Sequence, residues 1–127
     1  DAEALAAAAL QARRRASCRH LVVTRGNLGA ALFDDEAPDG VWLPVSGSGE
    51  VTDATGAGDT VGAVFTAALA AGVGAVEALV LANAAAGVVV LENGAVPCRP
   101  EALIAVLAHA PRPSVPAREE LSTEARP

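Results

Sequence analysis

The run Asp53-Ala54-Thr55-Gly56-Ala57-Gly58-Asp59-Thr60 stands between a strand-like stretch and a long Ala-rich helical stretch, and it constrains this chain more than any other feature. Small residues at the start of a helix let backbone N–H groups approach an anion closely. Those groups have no partner within the helix, and the helix dipole adds partial positive charge there. Asp59 follows at once. A carboxylate beside an anion cradle is electrostatically awkward unless it handles a proton, which points to phosphate transfer onto a hydroxyl.

At 127 residues the chain is one domain or less. Apolar residues make up 52% but aromatics only 2%, and Ala dominates, so the core has area without bulk and helices can lie close on a sheet. The formal net charge is −6, and the 9 basic residues are all Arg. With no basic stripe interleaved with aromatics, nucleic acid is excluded as a partner. Arg13-Arg14-Arg15 reads as a solvated last helical turn, where cations complement the dipole.

Cys18 and Cys98 have neither metal-ligand nor disulfide-framework spacing, and read as small, partly buried residues of a cytosolic protein. His20 and His109 are lone histidines and read as structural or exposed. The uncharged run Ala78 to Leu91 is too short to span a membrane and no signal peptide is visible, so a cytoplasmic protein with no membrane partner is expected. The chain begins at Asp1 and holds 0 Met, which leads to the expectation of a fragment or processed piece.

Composition and punctuation predict a helix over Asp1 to Arg15, with an acidic start and a basic end. Short strands follow at His20–Thr24 and Ala30–Phe33, joined around the glycine turn Arg25–Gly29 as a hairpin or as adjacent strands. Asp34 to Gly40 is a polar turn, and Val41 to Val45 a strand whose Pro44 suggests a sheet edge. Ser46 to Glu50 reads as a flexible linker. Helices are expected from about Gly58 to Ala71, from about Ala75 to Leu91, and from Pro100 to near Ala110. Residues 111–127, rich in Pro, Arg and Glu, read as a disordered tail outside a domain of residues 1–110. Helices interleaved with strands give an α/β class.

Three interpretations compete for Gly56-Ala57-Gly58-Asp59-Thr60-Val61-Gly62. A dinucleotide fingerprint needs a second strand ending in an acidic residue some 20 positions on; here that position falls near Glu77, which opens a helix. A Walker-type loop needs Lys, and the chain has none. The second interpretation is a glycine-rich turn with Asp59 only at a helix start, where Asp and Thr are common for capping alone. The third is a kinase anion hole with a catalytic base.

The eight residues closely resemble the second signature of the ribokinase-like (PfkB) carbohydrate kinases. Thr24-Arg25-Gly26-Asn27-Leu28-Gly29 resembles that family's nucleotide turn. Leu81-Ala82-Asn83-Ala84-Ala85-Ala86-Gly87-Val88-Val89-Val90 is similar to its helix beside the adenine, and Gly94-Ala95 to the loop after it. Together they look most like the D-glycero-beta-D-manno-heptose-7-phosphate kinase branch, over about Asp1 to Leu107. The resemblance implies a three-layer sandwich, of which this chain is the C-terminal nucleotide-binding portion.

It also implies roles. Asp59 is the general base for the sugar hydroxyl, and Gly56, Ala57 and Gly58 supply amides to the γ-phosphate. Thr24, Gly26 and Gly29 line the nucleotide turn, with Asn83 near the adenine or ribose; a polar residue satisfied by helix packing is the competing account of Asn83. ATP and Mg²⁺ are the implied cofactors. A monovalent cation such as K⁺ is held in relatives by positions that match Asp53, Thr55, Val89, Glu92, Gly94 and Cys98, although a thiol at Cys98 suits a hard cation poorly and leaves only its carbonyl. Ala54 replaces the usual Thr.

The family's sugar-binding residues and Asn-x-x-Glu motif belong to a stretch that should precede Asp1. Weak activity from this piece alone is therefore expected, with a sugar or sugar phosphate as substrate and self-association, or pairing with the N-terminal half, across an exposed sheet edge. A non-catalytic nucleotide-binding or interaction module is the alternative.

Overall fold

A computed structural model describes residues 1–47 and 54–116. Asp53 of the expected cation set and most of the expected linker and tail lie outside these residues. Among the described residues the order is α1 (Ala2–Ala16), β1 (Leu21–Thr24), a 3-10 turn (Gly26–Leu28), β2 (Ala30–Phe33), β3 (Val41–Leu43), α2 (Ala57–Ala70), α3 (Ala75–Val89) and α4 (Pro100–Leu107).

The strands form an antiparallel meander in the order β1-β2-β3. Leu21 pairs with Phe33 and Thr24 with Ala30, while Ala30 pairs with Leu43 and Leu32 with Val41. All four residues of β2 are buried, as an uninterrupted apolar run requires when both faces of a strand are covered. Successive side chains point to opposite faces. Ala30 and Leu32 join Val41, Leu43, Val61, Phe65, Ala78 and Leu79 beneath α2 and α3. Ala31 and Phe33 instead meet Ala9 of α1, flanked by Leu5 and Ala6. The result is three layers: α1, the sheet, and the α2–α3 pair, with α4 against α3. Fully burying a side chain such as Phe33 or Leu79 contributes about 1.5–3 kcal/mol.

α3 is buried nearly all round, with Ala82, Ala84 and Ala85 fully covered. Its small side chains let it lie close to the sheet, as the Ala-rich composition implies. The ends of α1 are capped at both termini. The Asp1 carboxylate accepts from the Glu3 N–H at 3.0 Å, and Ser17 closes the C-terminus with φ 52, donating its N–H to Arg13 and Arg14 carbonyls.

Four expectations are corrected. Arg13 is not solvated but 7% exposed; its Nε donates to the Arg19 carbonyl at 3.1 Å and its guanidinium to Asp35 Oδ1 at 2.8 Å. That pair ties the end of α1 to the β2–β3 turn, which no local pattern announces. Ser46, placed in a flexible linker, is buried. The last helix ends at Leu107 rather than near Ala110, its final residues continuing as turns. Beyond it, Ser114 pairs with Trp42 on the free side of β3, with N–H to carbonyl bonds of 2.8 and 2.7 Å, so ordered pairing reaches past residue 110. His20, expected to be structural or exposed, is half-buried with Nδ1 3.3 Å from Asp34 Oδ2. Asp34 also accepts from the Glu36 and Ala37 N–H groups, at 3.0 and 2.8 Å, and shapes the turn.

Candidate active site

The glycine turn from Arg25 to Gly29 is built by backbone conformation. The Arg25 N–H donates to the Gly29 carbonyl at 2.8 Å and the Gly29 N–H to the Gly26 carbonyl at 3.2 Å. Gly29 adopts φ +87, and a Cβ there would meet the Leu43 carbonyl and sit 2.8 Å from Pro44. Only glycine fits, because both the left-handed backbone and the neighbouring strand forbid a side chain. The Arg25 guanidinium lies 4.8 Å from the Trp42 ring centroid, a cation–π contact that anchors the turn on β3.

Across from this turn stands the N-terminus of α2. Gly56 is its N-cap at φ 80, and the Thr60 N–H donates to the Gly56 carbonyl at 2.9 Å as the first rung of the helix. The Ala57 N–H donates to the Ala54 carbonyl at 3.2 Å. Of the three expected phosphate amides, Ala57 thus has its N–H engaged in the turn. The Gly58 and Asp59 N–H groups belong to the first turn, which has no partners within the helix.

A cavity of about 620 Å³ lies between turn and helix. Thr24, Gly26 and Gly29 line one side, Ala57 and Gly58 another, and Asn83, Ala86 and Gly87 of α3 a third. These residues come from three motifs far apart in sequence. Asn83 is 7% exposed and its Nδ2 donates to the Pro44 carbonyl at 2.9 Å. Helix packing and a place on the cavity wall therefore coincide at this residue. Sequence patterning missed Ser46, which also borders the cavity; its burial arises from contact with α3 and has no local signal.

The first turn of α2 divides this cavity from a smaller one of about 280 Å³, lined by Thr55, Gly56, Asp59, Thr60, Ala95 and Val96. Asp59 is exposed. Of the residues matched to a monovalent cation, Thr55 borders this smaller cavity; Val89, Glu92, Gly94 and Cys98 border neither. Val89 is buried at the end of α3, with its carbonyl accepting from the Glu92 N–H at 3.3 Å. Burial pushes the Cys98 thiol up, favouring the neutral form, which is a poor ligand for a hard cation. Among the described residues no cluster of three or more His, Cys, Asp or Glu is placed to hold a metal, and no helix is long and apolar enough to cross a membrane.

The unit is thus three-layered α/β, with a glycine turn facing a helix N-terminus across a cavity. Residues 1–102 match the model of the pfkB family carbohydrate kinases, and the chain belongs to that family. It is 43% identical over 90% of its length to the Bifunctional protein HldE of Halorhodospira halophila, and 47% identical over 72% to that of Methylococcus capsulatus. It spans 24% and 19% of those two proteins. The ribokinase of Arabidopsis thaliana, solved with ribose and ATP, superposes with a TM-score of 0.62 at 33% identity, over 70% of this chain and 29% of that one. Phosphofructokinase-2 from Escherichia coli, solved with potassium, gives 0.72 at 22% identity over 83% of this chain and 33% of its own, a likeness of fold.

Proposed function

We propose that this chain supplies the nucleotide wall and the general base of an ATP-dependent sugar kinase. One observation carries the proposal: Thr24, Gly26, Gly29, Gly58 and Asn83 line a single cavity, and Asp59 lies on the far side of the same helical turn as Gly58. ATP fits the larger cavity with its phosphates toward the positive end of α2. The sugar hydroxyl belongs on the Asp59 side. Asp59 takes the hydroxyl proton as the oxygen attacks the γ-phosphorus, and the bond to the β,γ-bridging oxygen breaks to release ADP. The first-turn amides of α2 stabilise the charge that develops on the transferred group.

Mg²⁺ comes with the nucleotide phosphates, whose oxygens it prefers, and neutralises their charge. A monovalent cation beside Thr55 rests on the motif resemblance alone, and no step depends on it. Heptose 7-phosphate is the acceptor we favour, supported by the branch resemblance of the motifs and by the HldE relatives. The Arabidopsis ribokinase, with ribose and ATP, binds a pair of the same chemical kinds. Sugar contacts come from residues beyond those described. β1, whose one strand neighbour among the described residues is β2, offers an edge for the rest of the sheet or for a second copy. A cytoplasmic location, where ATP is plentiful, completes the proposal.

A coupled assay of ADP release by the full-length protein against a panel of sugars and sugar phosphates tests this. ATP-dependent turnover with a heptose phosphate, above that with any other sugar, is expected. No turnover with any member of the panel would contradict it.

A further inference from the structure

Ser46 is 3% exposed, and its Oγ is buried with no hydrogen-bond partner among the described residues. Buried hydroxyls are nearly always paired, and an unpaired one costs free energy that the fold must offset elsewhere. Ser46 also borders the larger cavity, beside Asn83, Ala86 and Gly87 of α3. α3 reaches it because position 87 is glycine: a Cβ there would lie 2.7 Å from the Ser46 carbonyl and 3.2 Å from Ser46 Cβ. The close approach of helix and loop thus covers an unpaired hydroxyl on a residue that borders the largely apolar α3 wall.

We propose that Ser46 is a specificity residue for the nucleotide, its hydroxyl hydrogen-bonding the edge of the nucleobase. This rests on the larger cavity being the nucleotide site. The wall formed by Ala86, Gly87 and Val90 suits the flat apolar face of a base, whereas the phosphates belong at the opposite, positive element, the α2 N-terminus. One rotation about χ1 exchanges the directions open to a serine oxygen. That oxygen both donates and accepts, as the ring nitrogens and exocyclic group of a purine edge require. The Asn83 Nδ2 already donates to Pro44, whereas the Ser46 hydroxyl is the buried side-chain group with no partner among the described residues.

Ser46→Ala in the full-length protein separates a ligand role from a structural one. Without nucleotide its melting temperature is expected to equal or exceed that of the wild type, because no protein hydrogen bond is removed. ATP affinity by calorimetry is expected to fall about three- to tenfold, the range of one neutral hydrogen bond. Affinity for inorganic tripolyphosphate stays the same, and 2′-deoxy-ATP loses as much as ATP. A lowered melting temperature, an unchanged ATP affinity, or an equal loss for tripolyphosphate each overturns the proposal. A loss that disappears with 2′-deoxy-ATP moves the contact to the ribose and overturns it likewise. Wild-type protein that binds no ATP would instead overturn the nucleotide site itself.

Discussion

Asn83 of α3 donates through Nδ2 to the carbonyl of Pro44, 2.9 Å away, and so fastens the helical wall of the larger cavity to the segment leaving β3. The bond spans 39 positions of sequence and is made by a side chain that is 7% exposed. The cavity therefore owes its shape partly to one amide.

Replacing it tests that. Asn83→Ala removes the donor and is expected to destabilise the full-length protein by about 1–3 kcal/mol, seen as a lower denaturation midpoint with an unchanged slope. ATP affinity should fall with it. An unaltered midpoint would show that the Pro44 bond adds nothing to the fold.

Gly29→Ala asks for a side chain where φ is +87 and the strand backbone blocks the Cβ. Backbone strain alone costs about 1–3 kcal/mol, and the clash adds to it. Loss of nucleotide binding together with a clear drop in stability is expected from calorimetry and thermal melts. A variant as stable as the wild type would mean that the turn can reopen freely.

At the contact between α1 and β2 two alanines are closely covered, Ala9 at 2% exposure and Ala31 at 0%. Ala31→Leu inserts bulk into a gap sized for a methyl group and should cost about 1–3 kcal/mol by chemical denaturation. A stabilised variant would reveal a cavity under α1.

Much of this was legible beforehand. The helix end at Ala16 follows from its basic last turn, those at Ala70 and Val89 from the glycines beyond them, and the hairpin around Gly26 and Gly29 from its turn residues. The three-layer arrangement rested on motif resemblance, and the geometry agrees; Thr24, Gly26, Gly29 and Asn83, taken from the same resemblance, border one cavity. What escaped were positions fixed by distant partners. Arg13 sits among other arginines and looks solvated, but Asp35 draws it in. Ser46 looks like linker until α3 covers it. Ser114 pairs with Trp42 across 72 positions. Periodicity reports a residue's neighbours in the chain and is blind to these.

The Arg13–Asp35 pair has a pH signature. The hydrogen bond from Arg13, and then its charge, hold the Asp35 carboxyl below the usual value of 3.8. A carboxyl depressed in the folded state contributes stability that is fully present above its unfolded pKa and is lost as pH falls through the folded one. Asp35→Asn should therefore lower stability at neutral pH, slightly because Asp35 is exposed. The difference from wild type should begin to shrink below about pH 3.8, the unfolded value, and vanish only once pH has passed the lower folded value. Denaturation midpoints that differ equally at all pH values would contradict this.

The central claim is that Asp59 removes a proton from the acceptor hydroxyl, next to a nucleotide bound on the other side of the α2 first turn. Asp59→Asn keeps the size and the helix start while removing the base. Single-turnover phosphate transfer by the full-length variant, with ATP affinity measured in parallel, tests it most directly. The account predicts a rate about 10²–10⁴-fold below wild type with ATP affinity little changed. Transfer at the wild-type rate, with ATP bound equally well, would contradict it.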